Sequence, residues 1–328
     1  MNSLVNERIN IMKEIQTVLV VGAGTMGHGF AQVLAMNHVD VWLVDQTDEL
    51  LDRARVWVTE NLNSMVELEQ ARQEDVGATS ARIRFTTDLE KAAHNADYVI
   101  EAIIENLELK KKLFRQLGAS TGPEVVIASN TSSFDINEFT AVTEHPERVI
   151  GAHWFHPAQI TPCVEIIPAD ATSQETIDCA TAFMKRIGKA PVICKSAPGF
   201  VANRIQFAMA AEAFAIVEEG LATPEQVDQI VKSSFGFRLS AYGPFEICDQ
   251  AGVDTYFAIY KYLYGKLNRE QFKPPQILKE LAEQGKYGLK TQGGFYEYTD
   301  GAAEKIKRER DRKLFARLNI FRDEQKGE

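Results

Sequence analysis

His153 and Glu165 are the two residues of this chain whose types and spacing most directly suggest proton chemistry. Val149-Ile-Gly-Ala-His153-Trp154 reads as a strand ending in an imidazole. Glu165 lies twelve residues further on, inside a second strand-like run, Cys163-Val-Glu165-Ile-Ile167. A carboxylate flanked by apolar residues in mid-strand is costly to bury unless a charged or hydrogen-bonding partner meets it. Of the six histidines, only His153 lies near such an acid in sequence. An imidazole held by a carboxylate suits general acid/base work near neutral pH. Spacing alone is equally compatible with a packed core histidine.

A second constellation points to a nucleotide. Val18-Leu-Val-Val-Gly22-Ala-Gly24-Thr25-Met26-Gly27 is a strand, a glycine turn and a helix start. Gly22 permits the tight turn, Gly24 lets the backbone approach a pyrophosphate, and Gly27 allows close helix–strand packing. The helix N-terminus, entered through Thr25 and Met26, then offers unpaired N–H groups and a positive dipole end to the phosphates. A glycine turn alone is weak evidence. Here a second strand follows and ends at Asp45, eighteen residues past Gly27. An acid there accepts hydrogen bonds from an adenosine ribose and repels a 2′-phosphate, which favours NAD over NADP. Hydride exchange with an alcohol would in turn need a base and donors for the developing carbonyl oxygen, the work for which His153 is suited. His28, just after the third glycine, reads as a helix-surface residue.

The elements that must position these residues follow from the apolar pattern. Thr17–Val21, Val39–Val44, Tyr98–Ala102 and Val125–Ser129 read as buried strands, separated by helix-like stretches such as Gly27–Met36 and Asn106–Leu117. That alternation predicts an α/β fold with a Rossmann-like, doubly wound parallel sheet. Val149–Trp154 and Cys163–Ile167, joined by a loop with Pro157 and Pro162, predict an added hairpin-like pair, and Pro191–Lys195 a last strand. Ser196-Ala-Pro-Gly is the expected break between a nucleotide-binding domain over 1–198 and an all-helical domain over 199–328. In the latter, Gly199–Glu219 has helical spacing and stops at Gly220, and Thr223-Pro-Glu-Gln226 has the form of a capping box. Residues 301–328 read as a charged, solvated or partner-covering helix with nine Lys/Arg.

Composition excludes several other roles. With 45% apolar and 25% charged residues, the 328-residue chain has a globular profile, and its net charge of −10 argues against nucleic acid. The four cysteines form no CxxC pair and read as reduced thiols, and no metal site is expected. No apolar run approaches a membrane span, and the charged N-terminal stretch (MNSLVNERINIMKEIQ) lacks a signal-peptide core, so a cytoplasmic protein is expected.

Ser129-Asn-Thr-Ser-Ser133, Gly151-Ala-His-Trp-Phe-His-Pro157, Val164-Glu-Ile166 and Pro198-Gly-Phe-Val-Ala-Asn-Arg204 resemble motifs of the L-3-hydroxyacyl-CoA dehydrogenases, in order and at that family's spacing. The likeness continues in Val44-Asp-Gln-Thr47, Glu101-Ala-Ile-Ile-Glu-Asn-Leu107, Gly243-Pro-Phe-Glu246 and Lys290-Thr-Gln-Gly-Gly-Phe-Tyr296, so it covers most of the chain. The resemblance implies that His153 is the general base, that Glu165 orients it, and that Ser132 and Asn203 hold the substrate oxygen. It also implies cofactor contacts at Glu105, Lys110, Ser132 and Lys290, an active site between the domains, and a homodimer formed through the helical domain.

Three departures bear on the substrate. Val58-Thr-Glu-Asn-Leu-Asn-Ser-Met-Val-Glu-Leu-Glu69 keeps Asn61 at a polar CoA contact, but Leu68 replaces a lysine among Glu60, Glu67 and Glu69. Negative charge beside a CoA 3′-phosphate is unfavourable. His156 stands where the family has an asparagine at the nicotinamide end. Gly236-Phe-Arg-Leu-Ser-Ala-Tyr-Gly-Pro244 is longer than its acyl-CoA counterpart and is similar to the loop of relatives that oxidise free hydroxy acids, such as L-gulonate and L-carnitine dehydrogenases. In that loop Arg238 is placed to clamp a carboxylate. The expectation is an NAD-linked interconversion of 3-hydroxy and 3-oxo groups, foremost on a small free hydroxy carboxylate. The alternative is an L-3-hydroxyacyl-CoA of fatty acid metabolism. More distant readings are a lysine-dependent β-hydroxyacid dehydrogenase and a non-enzymatic, crystallin-like NAD-binding protein.

Overall fold

The computed structural model describes residues 15–326, so most of the N-terminal stretch read for a signal core lies outside the described residues. Eight strands form one sheet: β1 (Thr17–Val21), β2 (Asp40–Val44), β3 (Ile83–Thr86), β4 (Tyr98–Glu101), β5 (Val126–Ser129), β6 (Val149–Trp154), β7 (Cys163–Pro168) and β8 (Ala190–Ile193). Their spatial order is β3-β2-β1-β4-β5-β6-β7-β8. Neighbours run parallel except β6 and β7, which pair antiparallel as the expected hairpin. Helices fill the crossovers: α1 (Gly27–Met36), α2 (Asp48–Glu67), α3 (Gln73–Ala81), α4 (Leu89–His94), α5 (Leu107–Ser120), α6 (Asn137–Thr140) and α7 (Gln174–Arg186). This is the doubly wound, Rossmann-like arrangement that the alternating pattern predicts.

Strand alternation explains why the central strands read as continuous apolar runs. On β1, Val18 and Val20 join one apolar cluster while Leu19 and Val21 join the other. Both faces are therefore covered, as parallel sheets require. Two edge details differ from the expectation. β3, Ile-Arg-Phe-Thr, has no counterpart among the expected strands: a four-residue edge strand with Arg84 exposed, it has no apolar run of its own and takes its structure from pairing with β2. β8 starts at Ala190 and ends at Ile193 instead of running to Lys195. Pro191, which lacks an N–H, is tolerated there because β8 is the sheet's other edge.

The helical part contains α8 (Ala202–Glu218), α9 (Pro224–Ser233), α10 (Phe235–Leu239), α11 (Pro244–Ala251), α12 (Val253–Leu267), α13 (Gln276–Glu283) and α14 (Ala302–Lys326). Gly220 has φ +70°, as a helix stop demands, and Thr223 with Gln226 forms the reciprocal capping box. The Ser196-Ala-Pro-Gly break marks the change from strand to helix, while the compact units divide further on, at Met209/Ala210. In the second unit the buried Asp249 accepts hydrogen bonds from the Phe295 and Tyr296 N–H groups and the Tyr298 hydroxyl, fixing the turn that follows Lys290. Among the described residues, no helix is long and apolar enough to cross a membrane.

Candidate active site

The antiparallel pairing of β6 and β7 makes His153 and Glu165 directly opposed residues. Cross-strand partners bring their side chains together on one face, and His153 Nδ1 lies 2.8 Å from Glu165 Oε2. Both side chains are buried. The other carboxylate oxygen accepts the backbone N–H groups of Val201 and Ala202, at 3.1 and 2.9 Å, where α8 begins. Gly199 and Phe200 both take positive φ just before it, which aims those two N–H groups at Glu165. Both oxygens of the acid are thus engaged, one by a helix start and the other by the imidazole. A carboxylate oxygen at Nδ1 assigns the ring proton there and leaves Nε2 with its lone pair open.

Nε2 faces the Ser132 hydroxyl at 3.1 Å. Ser132 sits on the loop after β5, and Asn203, in the first turn of α8, donates its amide Nδ2 to the Ser132 carbonyl at 3.3 Å. One amide proton of Asn203 remains for another acceptor. His153, Glu165, Ser132 and Asn203 are therefore joined in one hydrogen-bonded group, far apart though they are in sequence.

The glycine turn lies between β1 and α1, at the point where the sheet order reverses between β1 and β4. Gly22 has φ +104°, and a Cβ on it would stand 2.5 Å from the Ala102 carbonyl oxygen. A Cβ on Gly27 would meet the Gly22 carbonyl oxygen at 1.7 Å, whereas one on Gly24 would meet nothing within 4 Å. Two glycines are thus demanded by the protein itself, and the third opens onto free space. The N-terminus of α1 has no side-chain cap and no acid in its first turn, so it can face an anion, although the His28 N–H already donates to the Gly24 carbonyl at 3.3 Å. Asp45, at the end of β2, accepts the Ala23 N–H at 2.7 Å and so stands beside the turn. This cradle fits NAD: Gly22, Gly24, Thr25, Met26 and Gly27 would hold the pyrophosphate and Asp45 the adenosine ribose.

Two family models match consecutive stretches: the NAD binding domain of 3-hydroxyacyl-CoA dehydrogenase over residues 17–197 and its C-terminal domain over 199–298. The chain belongs to the 3-hydroxyacyl-CoA dehydrogenase family. It is an NAD-dependent oxidoreductase acting on a CH–OH group. The dehydrogenase is 39% identical over 280 residues to a probable 3-hydroxybutyryl-CoA dehydrogenase of Deinococcus radiodurans, covering 85% of this chain and 99% of the relative. It is 32% identical over 313 residues to the 5-formyl-3-hydroxy-2-methylpyridine 4-carboxylate 5-dehydrogenase of Mesorhizobium japonicum, covering 94% and 98%. Among solved structures, the 3-hydroxyacyl-CoA dehydrogenase of Archaeoglobus fulgidus superposes with a TM-score of 0.77 at 32% identity, covering 93% and 99%.

Other expected site residues of this dehydrogenase fall in different places. Glu105 accepts hydrogen bonds from the Thr131 hydroxyl, the Ser132 N–H and the Ser133 hydroxyl. Burial opposes its charge, but the bonds from Thr131 and Ser133 and the nearby Lys110 outweigh that and hold its pKa below the usual range. Lys110 is buried, 2.6 Å from Glu101 and 3.2 Å from Glu105. His156 is exposed on the loop after β6, a loop pinned by Lys189, which donates to the Ala158 and Thr161 carbonyls. His28 is half-buried, its ring tilted against Trp57 with centroids 4.9 Å apart and bonded through Nδ1 to the Gly24 carbonyl, so it is not a freely solvated helix residue. Lys290 and Arg238 belong to the second unit. Lys290 pairs with Asp254 at 2.6 Å, and Arg238, exposed at the end of α10, has no carboxylate partner among the described residues.

Glu101, Thr131 and Asn130 stand beside these residues without having been expected there, and the Asn130 Oδ1 accepts the Trp154 N–H at 2.8 Å. Glu101 carried the same signal as Glu165: an acid closing an apolar strand, Tyr98-Val-Ile-Glu101. Thr131 and Asn130 carried none outside the Ser-Asn-Thr-Ser-Ser motif.

Proposed function

We propose that the chain interconverts a 3-hydroxy and a 3-oxo group with His153 as general base and Glu165 as its orienting partner. The observation that carries this reading is the line Glu165–His153–Ser132, with contacts of 2.8 and 3.1 Å. Bound NAD supplies the hydride acceptor. His153 Nε2 takes the hydroxyl proton, and Glu165 stabilises the imidazolium that forms. Ser132 Oγ and the spare Asn203 amide proton hold the oxygen as it becomes a carbonyl. On this reading Glu105, Lys110, His156 and Lys290 line or support the cofactor site.

The substrate class we favour is a small free hydroxy carboxylate, with Arg238 as its clamp. Glu60, Glu67 and Glu69, on and just past the end of α2, give a CoA 3′-phosphate no cationic partner, and Leu68 among them is exposed. The Arg238 guanidinium, without a carboxylate partner among the described residues, supports the clamp. So does the Mesorhizobium relative, whose name specifies a pyridine carboxylate. A second reading, a CoA thioester of fatty acid metabolism, is favoured by the name of the Deinococcus relative and by Asn61. A turnover screen with NAD, pairing each free 3-hydroxy acid with its CoA thioester, decides between them. Faster turnover of the free acids supports the first reading, and turnover of thioesters alone removes it.

A homodimer through the helical unit is part of this proposal. Neither α8 nor α9 has a buried residue, and Phe214 on α8, Ile230 on α9 and Tyr262 on α12 are all more than half exposed. Apolar surface of that kind on a helical face calls for a covering partner.

A further inference from the structure

β4 ends on Glu101, a fully buried carboxylate, and α5 supplies it with Lys110, whose side chain is 1% exposed. The reaction as proposed gives Glu101 no part and Lys110 only a place at the cofactor site. A buried acid is costly unless its lone pairs are engaged, and these are. Oε1 accepts from Lys110 Nζ at 2.6 Å and from the Ile103 N–H at 2.8 Å, and Oε2 accepts from the Ser129 hydroxyl at 2.6 Å.

Lys110 carries the connection outward. Its ammonium has three protons, and three protein acceptors stand around it: Glu101, Glu105 Oε2 at 3.2 Å and the Ile103 carbonyl at 3.4 Å. With one oxygen of Glu105 fixed by that ion pair, the other accepts from the Thr131 hydroxyl, the Ser132 backbone N–H at 3.1 Å and the Ser133 hydroxyl at 2.8 Å. These three residues are the loop that presents the Ser132 hydroxyl to His153. A second arm reaches the same loop, because Ser129 Oγ, while donating to Glu101, accepts the Thr131 N–H at 3.2 Å.

We propose that Glu101 is a positioning residue for the reaction: through Lys110 and Glu105 it holds the 131–133 loop so that Ser132 stays opposite His153. This rests on the roles given above to His153 and Ser132. The two sides of the site are then built alike, with Glu165 orienting the imidazole and the Glu101–Lys110–Glu105 chain orienting the hydroxyl. Removing the Glu101 charge leaves the buried ammonium to Glu105 alone. Glu105 is drawn inward, and the loop loses its acceptor.

The test follows His153 itself in the free protein, by 15N NMR of its imidazole at fixed pH, and needs no substrate. Glu101→Gln keeps the side-chain volume and can still accept from Lys110 and donate to Ser129, so it removes the charge with little else. Ser132→Ala is expected to displace the His153 Nε2 resonance. Glu101→Gln is expected to displace it in the same direction, and the double variant to displace it no further than Ser132→Ala alone, because both act on one contact. In turnover with NAD and the faster of 3-hydroxybutyryl-CoA and free 3-hydroxybutyrate, Glu101→Gln should lower kcat roughly 10- to 100-fold, the scale of a slight misplacement. A single cooperative thermal transition, as in the wild type, distinguishes this from a general loss of structure.

A His153 resonance unmoved by Glu101→Gln overturns the proposal. So does a displacement in the Ser132→Ala background as large as in the wild type, and so does a Ser132→Ala variant whose His153 signal stays in place. If Glu101→Gln fails to fold, Ser129→Ala cuts the second arm alone, and a smaller displacement of the same sign is then required. Failure of the catalytic reading shows separately, as retained turnover in a His153 variant.

Discussion

Glu165 and His153 stand directly opposite each other on neighbouring antiparallel strands, with the carboxylate 2.8 Å from the imidazole Nδ1. Because the pair is set by strand register, its geometry does not depend on a flexible loop. The second Glu165 oxygen is occupied by two backbone N–H groups at the start of α8, so the acid has one orientation open to it.

His153→Gln should fold and bind NADH while losing about 10²- to 10⁴-fold in kcat, the usual contribution of a general base. Fluorescence titration with NADH and steady-state turnover measure the two arms. A variant with near-normal kcat removes His153 from the chemistry. Glu165→Gln should lower kcat by roughly 10²-fold or more, with NADH affinity unchanged, since an amide no longer stabilises the imidazolium.

Asp45→Ala should relax the preference for NAD over NADP. The carboxylate stands beside the glycine turn, bonded to the Ala23 N–H at 2.7 Å, where a 2′-phosphate would be repelled. The ratio of kcat/KM for the two cofactors is the measurement. A ratio unchanged from the wild type counts against Asp45 as the discriminator.

Arg238→Leu separates the two substrate classes. Loss of a charge-assisted carboxylate contact of roughly 1.5–3 kcal/mol should appear in kcat/KM for free hydroxy acids, with NADH affinity unchanged. A thioester lacking the CoA 3′-phosphate should react about as well as the full ester, given the acids that close α2. If the full ester is far better and Arg238→Leu is silent, the free-acid reading fails.

His28 gives a pH prediction. Burial holds its imidazole below the usual histidine range, helped by repulsion from His156 and opposed by the bond to the Gly24 carbonyl. As pH falls, the unfolded chain takes up the proton first, at about 6.5. Stability present above that pH is therefore lost as pH drops through the window between it and the lower folded value. His28→Gln should lose less Tm than the wild type between about pH 7.5 and pH 5.5, by calorimetry. Equal losses in both proteins would falsify the role given to burial.

Local physics made much of this protein legible in its sequence. β1 and α1 run over the residues that the apolar pattern delimits, because a buried parallel strand must be apolar on both faces and a glycine turn ends it. The cradle around Gly22, Gly24, Gly27 and Asp45 was legible too, since the turn, the helix start and the acid after the next strand fall within one unit of chain. The same holds for the Thr223 capping box, whose partners are three residues apart.

What the tertiary structure decided lies in contacts between segments distant in sequence. Spacing left His153 open to a core reading, and only the β6–β7 register sets Glu165 against its Nδ1. Ser132 reaches Nε2 because β5 lies beside β6, and Asn203 reaches Ser132 because the turn at Gly199 and Phe200 starts α8 there. For Lys110 the resemblance implies a cofactor contact, and nothing in the sequence sets it against Glu101. Only the packing of α5 against the end of β4 buries its ammonium between two carboxylates. Periodicity reports which side of an element faces the core, but the partner met on that side is set by sheet order and register, which no single stretch of chain encodes.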